Sequence, residues 1–323
     1  NRYHVPRLAF INKMDRAGAD PFRVVRDLKE KLGDDAILMQ LPLGAGDRFQ
    51  GVIDLVTMQA LYFDGDEGEQ IRAEPIPDAM TPLAREWRMK MLEGLAMYSD
   101  ELMERLLSEE EISADMIHQV TRAVVQQQDV TPVFLGAAYK NKGVQPLLDA
   151  ITRYLPSPLE HEIHAKAWDN AAETVPLEPD PAKPFVGMAF KIVDDPYGQL
   201  TFMRVYQGCI EKGGTYINQR TGRKERFSRI VRMHADERKE IAEAEAGEIV
   251  AVMGIDCASG DTYASRAKYC TLESMFVPEP VIKIAVRPEN RGDAEKLGKA
   301  LARFRKEDPT FRVTTDQETA EIL

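Results

Sequence analysis

Ala9-Phe10-Ile11-Asn12-Lys13-Met14-Asp15-Arg16-Ala17-Gly18-Ala19-Asp20-Pro21 decides how the first part of the chain is read. Val5 to Ile11 is a short apolar run of the kind that forms a buried parallel strand. Asn12 to Gly18 is polar and reads as a loop. Asp20 is a good helix N-cap, and Pro21 suits the first helical position, where its missing N–H costs nothing. Val24, Val25, Leu28 and Leu32 then keep helical spacing, and Gly33 ends the helix. Strand, loop and helix in this order are the grammar of a doubly wound α/β sheet. Such sheets bind ligands at the carboxyl ends of their strands, so loop 12–18 stands where a ligand would sit.

Working outward, Thr131 to Leu135 is a second buried strand. It is followed by a loop, Gly136 to Gly143, and by a helix with Val144, Leu147, Leu148, Ile151 and Leu155 on one face, stopped at Pro156-Ser157-Pro158. Between the two βα units, from about 40 to 127, lie short strands broken by Gly and Asp and then three amphipathic helical stretches. Leu83, Trp87, Met91 and Leu95 mark the first of these. Residues 1–160 therefore read as one α/β domain carrying an α+β insertion. Residues 161–183 hold many prolines and charges with little periodicity and read as a linker. From 184 to 278 strand-like runs alternate with turn signals such as Asp195-Pro196-Tyr197-Gly198, Gly213-Gly214 and Thr221-Gly222, which suggests a small closed β-barrel. From 279 to 323 a strand at Val281–Val286, a helix through Leu297 and Leu301, and a strand restarting at Phe311 read as the first part of a ferredoxin-like βαβ unit.

The totals bound the function. The 323 residues carry a formal net charge of −11, with 44% hydrophobic and 29% charged residues and a mean hydropathy of −0.36. A naked-DNA binder usually shows a basic surplus, so DNA is not an expected partner, although local basic patches on an acidic whole still allow RNA contact. No apolar run is long enough to cross a bilayer, and no membrane partner is expected. Cys209, Cys257 and Cys270 form no CxxC and read as reduced cysteines of a cytoplasmic protein. His161 and His164 have no companion ligand pair, so no metal site is expected.

Asn12-Lys13-Met14-Asp15 fits the NKxD motif of GTPases, and the chemistry follows from the groups. An ionised Asp only accepts hydrogen bonds, and guanine offers two adjacent N–H donors on one edge that one carboxylate can take. Asn can bond another base edge, and the Lys stem can lie on the ring face. Ala137-Ala138-Tyr139 stands at the place of the second GTPase loop, whose backbone N–H reads guanine O6. The usual serine of that loop is replaced here by Ala137, which removes a hydroxyl and spares the backbone donor. Arg220, Arg223, Lys224, Arg226, Arg229 and Arg232 form a basic cluster that reads either as a solvated face or as an RNA phosphate contact.

Ala9 to Asp20 and Phe134 to Gln145 both closely resemble the corresponding stretches of the elongation factor G family of translational GTPases. Ala189-Phe190-Lys191-Ile192, Asp195-Pro196-Tyr197-Gly198, Gly222-Arg223-Lys224-Glu225-Arg226 and Arg232-Met233-His234-Ala235 resemble its second domain. Glu307 to Val313 resembles the start of its third. The resemblance runs in order over essentially the whole chain. It implies a GTPase-type α/β domain, a translation-factor β-barrel and a partial ferredoxin-like domain. It also implies Asn12, Lys13, Asp15, Ala137, Ala138 and Tyr139 as guanine-reading residues, and it favours Arg223, Lys224 and Arg226 as RNA contacts.

The family's P-loop, switch I threonine and switch II DxPGH have no counterpart in this sequence. The expectation is an internal segment that lacks the phosphate-binding half of the site and does not hydrolyse GTP alone. Its grip on GDP should be millimolar or weaker, because a few hydrogen bonds worth about 0.5–3 kcal/mol each must offset an association cost of about 4 kcal/mol or more. GTP or GDP with Mg²⁺ is implied for the full-length protein, with none expected on this segment. The implied partners are the ribosome, through its RNA and its stalk protein. Ribosomal translocation of tRNA and mRNA is the implied activity. A recycling or protection relative, or a non-catalytic ribosome-binding module, are the alternatives.

Overall fold

A computed structural model describes residues 4–170, 172–195, 198–235, 237–272, 279, 281–288, 290–308, 310–316 and 322. The chain divides into two compact units, Asn1–Ser157 and Pro158–Leu323.

In the first unit, β1 (Ala9–Ile11) is followed by α1 (Pro21–Leu32), which starts as its sequence dictates. The Asp20 side chain accepts the Arg23 N–H at 3.1 Å, Pro21 opens the helix, and Gly33 closes it in the left-handed conformation at φ 62°. β2 (Ala36–Leu38) and the later β7 (Thr131–Leu135) complete a three-stranded parallel sheet in the order β1-β7-β2. β7 is central and every one of its residues is buried.

The insertion grows from the end of β2. Met39 donates its N–H to Val133 O at 3.0 Å, and β3 (Gln40–Leu43), β4 (Gly51–Asp54), β5 (Gln59–Asp64) and β6 (Gln70–Pro75) then form an antiparallel meander. α2 (Thr81–Ala96), α3 (Asp100–Leu107) and α4 (Ala114–Gln127) cover it, with Met91, Leu95, Leu102, Ile117 and Val124 in a core shared with Met39, Leu41 and Ile53. The Arg88 guanidinium ties sheet to helices by donating to the carbonyls of Leu55 at 2.5 Å, Val56 at 2.6 Å and Ile112 at 3.2 Å. α5 (Val144–Tyr154) returns to this core through Ala150 and Tyr154.

In the second unit, the segment read as a linker carries regular structure. Residues 161–183 contain two strands, β8 (Ile163–Ala167) and β9 (Thr174–Leu177), paired with each other. β20 (Cys270–Thr271) adds to β8 on its other side. Alternation explains the strands: Ala165 and Leu177 are buried while His164, Lys166 and Pro176 face outward. Each strand is only four or five residues long, so the flanking prolines and charges conceal the period.

The barrel region forms one rolled sheet. Its strands are β10 (Val186–Asp195), β11 (Gly198–Gln207), β13 (Thr215–Asn218), β14 (Lys224–Arg226), β15 (Arg229–His234), β16 (Glu237–Ile241), β18 (Ile249–Met253) and β19 (Asp261–Ala264). Their order is β14-β13-β19-β10-β11-β18-β15-β16. A separate ribbon pairs β12 (Cys209–Glu211) with β17 (Glu243–Glu245). Tyr216 near one end of the order and Ile230 near the other share one core with Phe185, Phe227 and Tyr263, so the sheet must curl on itself. Among the described residues β14 and β16 remain edges, so the roll is completed by side-chain packing and not by a continuous ladder. The expected turn at 195–198 includes Pro196 and Tyr197, which lie outside the described residues.

Of the expected βαβ unit after 279, the described residues form its helix, α6 (Ala294–Glu307). Among the described residues, the segments expected as strands at 281–286 and from 311 take part in isolated bridges, Val286 with Ile322 and Thr315 with Ile322. Val281, Ile282 and Ile284 are 96%, 73% and 68% exposed.

One buried carboxylate organises the turn that follows β13. Asp261 is 3% exposed and receives Arg220 Nε at 2.5 Å, Arg220 Nη2 at 2.9 Å, Asn218 Nδ2 at 2.8 Å and the Ala258 N–H at 2.9 Å. Burial alone would raise its pKa, but the guanidinium and the two amide donors together hold it below the ordinary carboxylate value. The stabilisation is therefore full above about pH 4 and fades as pH falls through the depressed folded value. Asp261→Asn should cost about 2–3 kcal/mol at pH 7, read as faster amide exchange in β10, β13 and β19. The same substitution should cost clearly less at pH 3, and an equal loss at both pH values would contradict the assignment.

Candidate functional site

Two loops meet at the carboxyl end of β1 and β7. The parallel register places Ile11 opposite Leu135, and the backbone continues the pairing past both strand ends. Gly136 donates its N–H to Ile11 O at 3.0 Å, and Met14 donates its N–H to Gly136 O at 3.0 Å. The Asn12 Oδ1 then accepts the Lys13 N–H at 2.7 Å and, across the gap between loops, the Ala138 N–H at 2.9 Å. One side chain thus fastens loop 12–18 to loop 136–143.

Within the first loop the side chains divide. Met14 is fully buried among Leu38, Phe49, Val133 and Leu135, while Asn12 and Lys13 are exposed. Lys13 adopts φ 63°, a left-handed conformation uncommon for a residue with a Cβ, stabilised in part because its carbonyl accepts the Arg16 N–H at 3.0 Å. The buried Met14 is the anchor that sequence reading missed. Its signal was present: one apolar side chain at the free position of a motif that is otherwise polar.

In the second loop Ala137 is buried, and its N–H and C=O are both paired with Lys142, at 2.9 and 3.2 Å. Its contribution is loop geometry, and a serine hydroxyl at that buried position would need a partner of its own. Ala138 is exposed, with its N–H committed to Asn12, and Tyr139 projects wholly into solvent. Gly136 is required by space, since a Cβ there would lie 2.2 Å from Lys142 O and 2.8 Å from Phe10 Cζ.

Asp15 and Lys140, one from each loop, form an ion pair at 3.1 Å. Lys140 hydrogen-bonds the Asp15 carboxyl and holds its pKa below the usual carboxylate range against the opposing effect of burial, with Arg16 adding a smaller push. The insertion also touches this site. The turn between β5 and β6 brings Gly68 against the second loop, where its carbonyl accepts Gln145 Nε2 at 2.9 Å, and Lys142 Nζ donates to Phe49 O at 3.3 Å.

The structure thus brings Asn12, Asp15 and Ala138 together, sets Lys13 beside them in the same loop, and leaves Ala137 behind them and Tyr139 outside. Among the described residues no group of three His, Cys, Asp or Glu side chains is placed to hold a metal ion. The basic cluster of the second unit is largely neutralised. Arg220 is taken by Asp261, Arg229 pairs with Glu240 at 3.4 Å, and Arg232 pairs with Glu248. Arg223 reaches Asp256 only at 3.9 Å, and Lys224 and Arg226, on the edge strand β14, have no acidic partner among the described residues.

Comparison with known proteins follows the same division of the chain. Residues 1–157 match the family described as elongation factor Tu GTP binding domain, 198–264 match elongation factor Tu domain 2, and 277–323 match elongation factor G, domain III. A protein of Rhodopirellula baltica named elongation factor G is 63% identical over 322 residues, covering 100% of this chain and 46% of that protein. Proteins named elongation factor G 1 in Syntrophus aciditrophicus and Treponema pallidum are 48% and 47% identical, each with the same coverage of 100% and 46%. A solved structure from Thermus thermophilus superposes with a TM-score of 0.77 at 25% identity, covering 99% of this chain and 46% of that one. The chain spans about half the length of the curated relatives it matches.

Gly136→Ala should weaken the first unit by about 1–3 kcal/mol through overpacking against Lys142 O and Phe10. The measurement is amide exchange at Met14, whose acceptor is the Gly136 carbonyl. Unchanged protection there would mean that the two loops are not held by this contact.

Proposed function

Because this chain belongs to the elongation factor G family of translational GTPases, we propose that its first unit supplies the guanine-reading half of a GTP site in a protein that drives movement of tRNA and mRNA through the ribosome. The observation that carries this reading is the fastening of the two loops. Asn12 receives the Ala138 N–H, and Asp15 is left as an acceptor-only carboxylate reached at present by a single lysine. A carboxylate so placed fits the paired N–H donors on the edge of guanine and repels the acceptor that xanthine carries there. The Asn12 Nδ2 and the Lys13 stem complete the base contacts. Mg²⁺ and phosphate contacts belong, in this proposal, to the parts of the relatives that this chain does not span. Neutralisation of the transferring phosphoryl group belongs there too.

A ribosomal RNA contact through Arg223, Lys224 and Arg226 is supported by their being the three cations of the cluster without a close ion pair among the described residues. The insertion helices are proposed as the surface nearest the stalk protein, with Met97 and Leu107 as its exposed apolar side chains. A protein acting on ribosomes in this way works in the cytoplasm.

Two measurements test the reading. Asp15→Asn replaces an acceptor by an amide that can also donate, so GMP binding should weaken and XMP binding strengthen, reversing the preference by about tenfold or more. Chemical-shift titration of the 323-residue chain checks this at millimolar nucleotide, and an unaltered GMP:XMP ratio would overturn the guanine assignment. Replacing Lys224 and Arg226 together by Ala should lower the slope of log affinity for ribosomes against log salt by about 1.4–1.8, the value for two lost phosphate contacts. An unchanged slope would remove these two residues from the RNA interface.

A further inference from the structure

The pair between Asp15 and Lys140 spans the two loops that the guanine reading uses, and it occupies Oδ2, one of the two carboxylate oxygens that the base would need. Asp15 is the fixed partner, with its side chain 14% exposed, and Lys140 is the movable one at 52%. The backbone of Lys140 is itself held in place. Its N–H donates to Ala137 O at 3.0 Å, and the next residue, Asn141, is left-handed at φ 49°. Gly68 from the insertion lies so close that a Cβ there would stand 2.7 Å from Lys140 O. Only the four-carbon stem of Lys140 is free to move. Its ammonium donates up to three hydrogen bonds and carries a full charge, so on Asp15 it competes directly with the two neutral N–H donors of guanine.

We propose that Lys140 is a latch on the guanine-reading carboxylate: its ammonium pairs with Asp15, and a purine base must displace it to bind. This rests on the guanine reading of loops 12–18 and 136–143. Displacement is an opening cost incurred before any base contact forms, so it lowers affinity by the same factor for every base that seats on Asp15. It also prevents Asp15 from standing as an unpaired carboxylate when the site is empty. A lysine that instead touched the base directly would have the opposite sign, because its removal would lose a contact.

The test compares Lys140→Met, which keeps a stem of similar bulk and removes the charge, with Lys140→Arg, which keeps the charge. Chemical-shift titrations of the whole chain with GMP and IMP follow loops 12–18 and 136–143, and the Asp15 carboxyl carbon is titrated with pH in the absence of nucleotide. The expected result is tighter binding by Lys140→Met, about two- to fivefold as befits a partly exposed ion pair, and by the same factor for GMP and IMP. Lys140→Arg should show no such gain, and the Asp15 pKa should rise in Lys140→Met. GMP binding at these loops that Lys140→Met leaves unchanged or weakens would overturn the latch and leave the guanine reading standing. So would an unequal effect on GMP and IMP. GMP that perturbs neither loop in either protein would overturn the guanine reading and the latch with it.

Discussion

The structure depends first on a backbone exchange between two parallel strands. Ile11 O takes the Gly136 N–H and Gly136 O takes the Met14 N–H, so the ladder of β1 and β7 runs one step beyond the strands into both loops. Loops are normally the least constrained part of an α/β unit. Here the two loops have backbone partners, a buried Met14 underneath and a side-chain bridge from Asn12 above. Everything assigned to the site follows from that closure: the left-handed Lys13, the half-buried Asp15, and the buried Ala137 that shapes its loop.

Two carboxylates show how the same group serves opposite ends. Asp261 is almost wholly buried and is met by four donors, two of them on one guanidinium, so it has no capacity left and acts as a structural node. Asp15 sits at the surface edge of a loop and is met by one flexible ammonium. A carboxylate satisfied by a partner that can leave is available to a ligand, and one satisfied by fixed donors is not. The arginines divide in the same way. Those paired with Asp261, Glu240 or Glu248 are committed, and Lys224 and Arg226 on β14 have no acidic partner among the described residues.

Much of the first unit was legible in the sequence because its signals are local. Asp20, Pro21 and Gly33 punctuate α1 by capping chemistry, and the apolar runs of β1 and β7 are short, unbroken and bounded by polar loops. The second unit was read less completely. β8 and β9 were hidden because strands of four or five residues give too few repeats to reveal a period against flanking prolines. The barrel's turns were legible, but the order in which its strands meet was not, since that depends on pairing between residues far apart in sequence. Around α6 the described residues pair only in isolated bridges, because alternation marks a strand but a ladder also needs a partner strand.

By itself the sequence determined the chemical groups at the two loops and the elements that carry them, since an Asp that can only accept, an Asn that can both donate and accept and a glycine without a side chain are properties of residues. Tertiary structure alone decided which of those groups are committed and which are free. That Ala138 gives its N–H to Asn12, that Lys140 reaches across to Asp15, and that Gly68 of the insertion abuts the Lys140 carbonyl are contacts between residues far apart in the chain. No local propensity encodes them. They exist because the parallel pairing of β1 with β7 brings two distant loops to the same edge of one sheet.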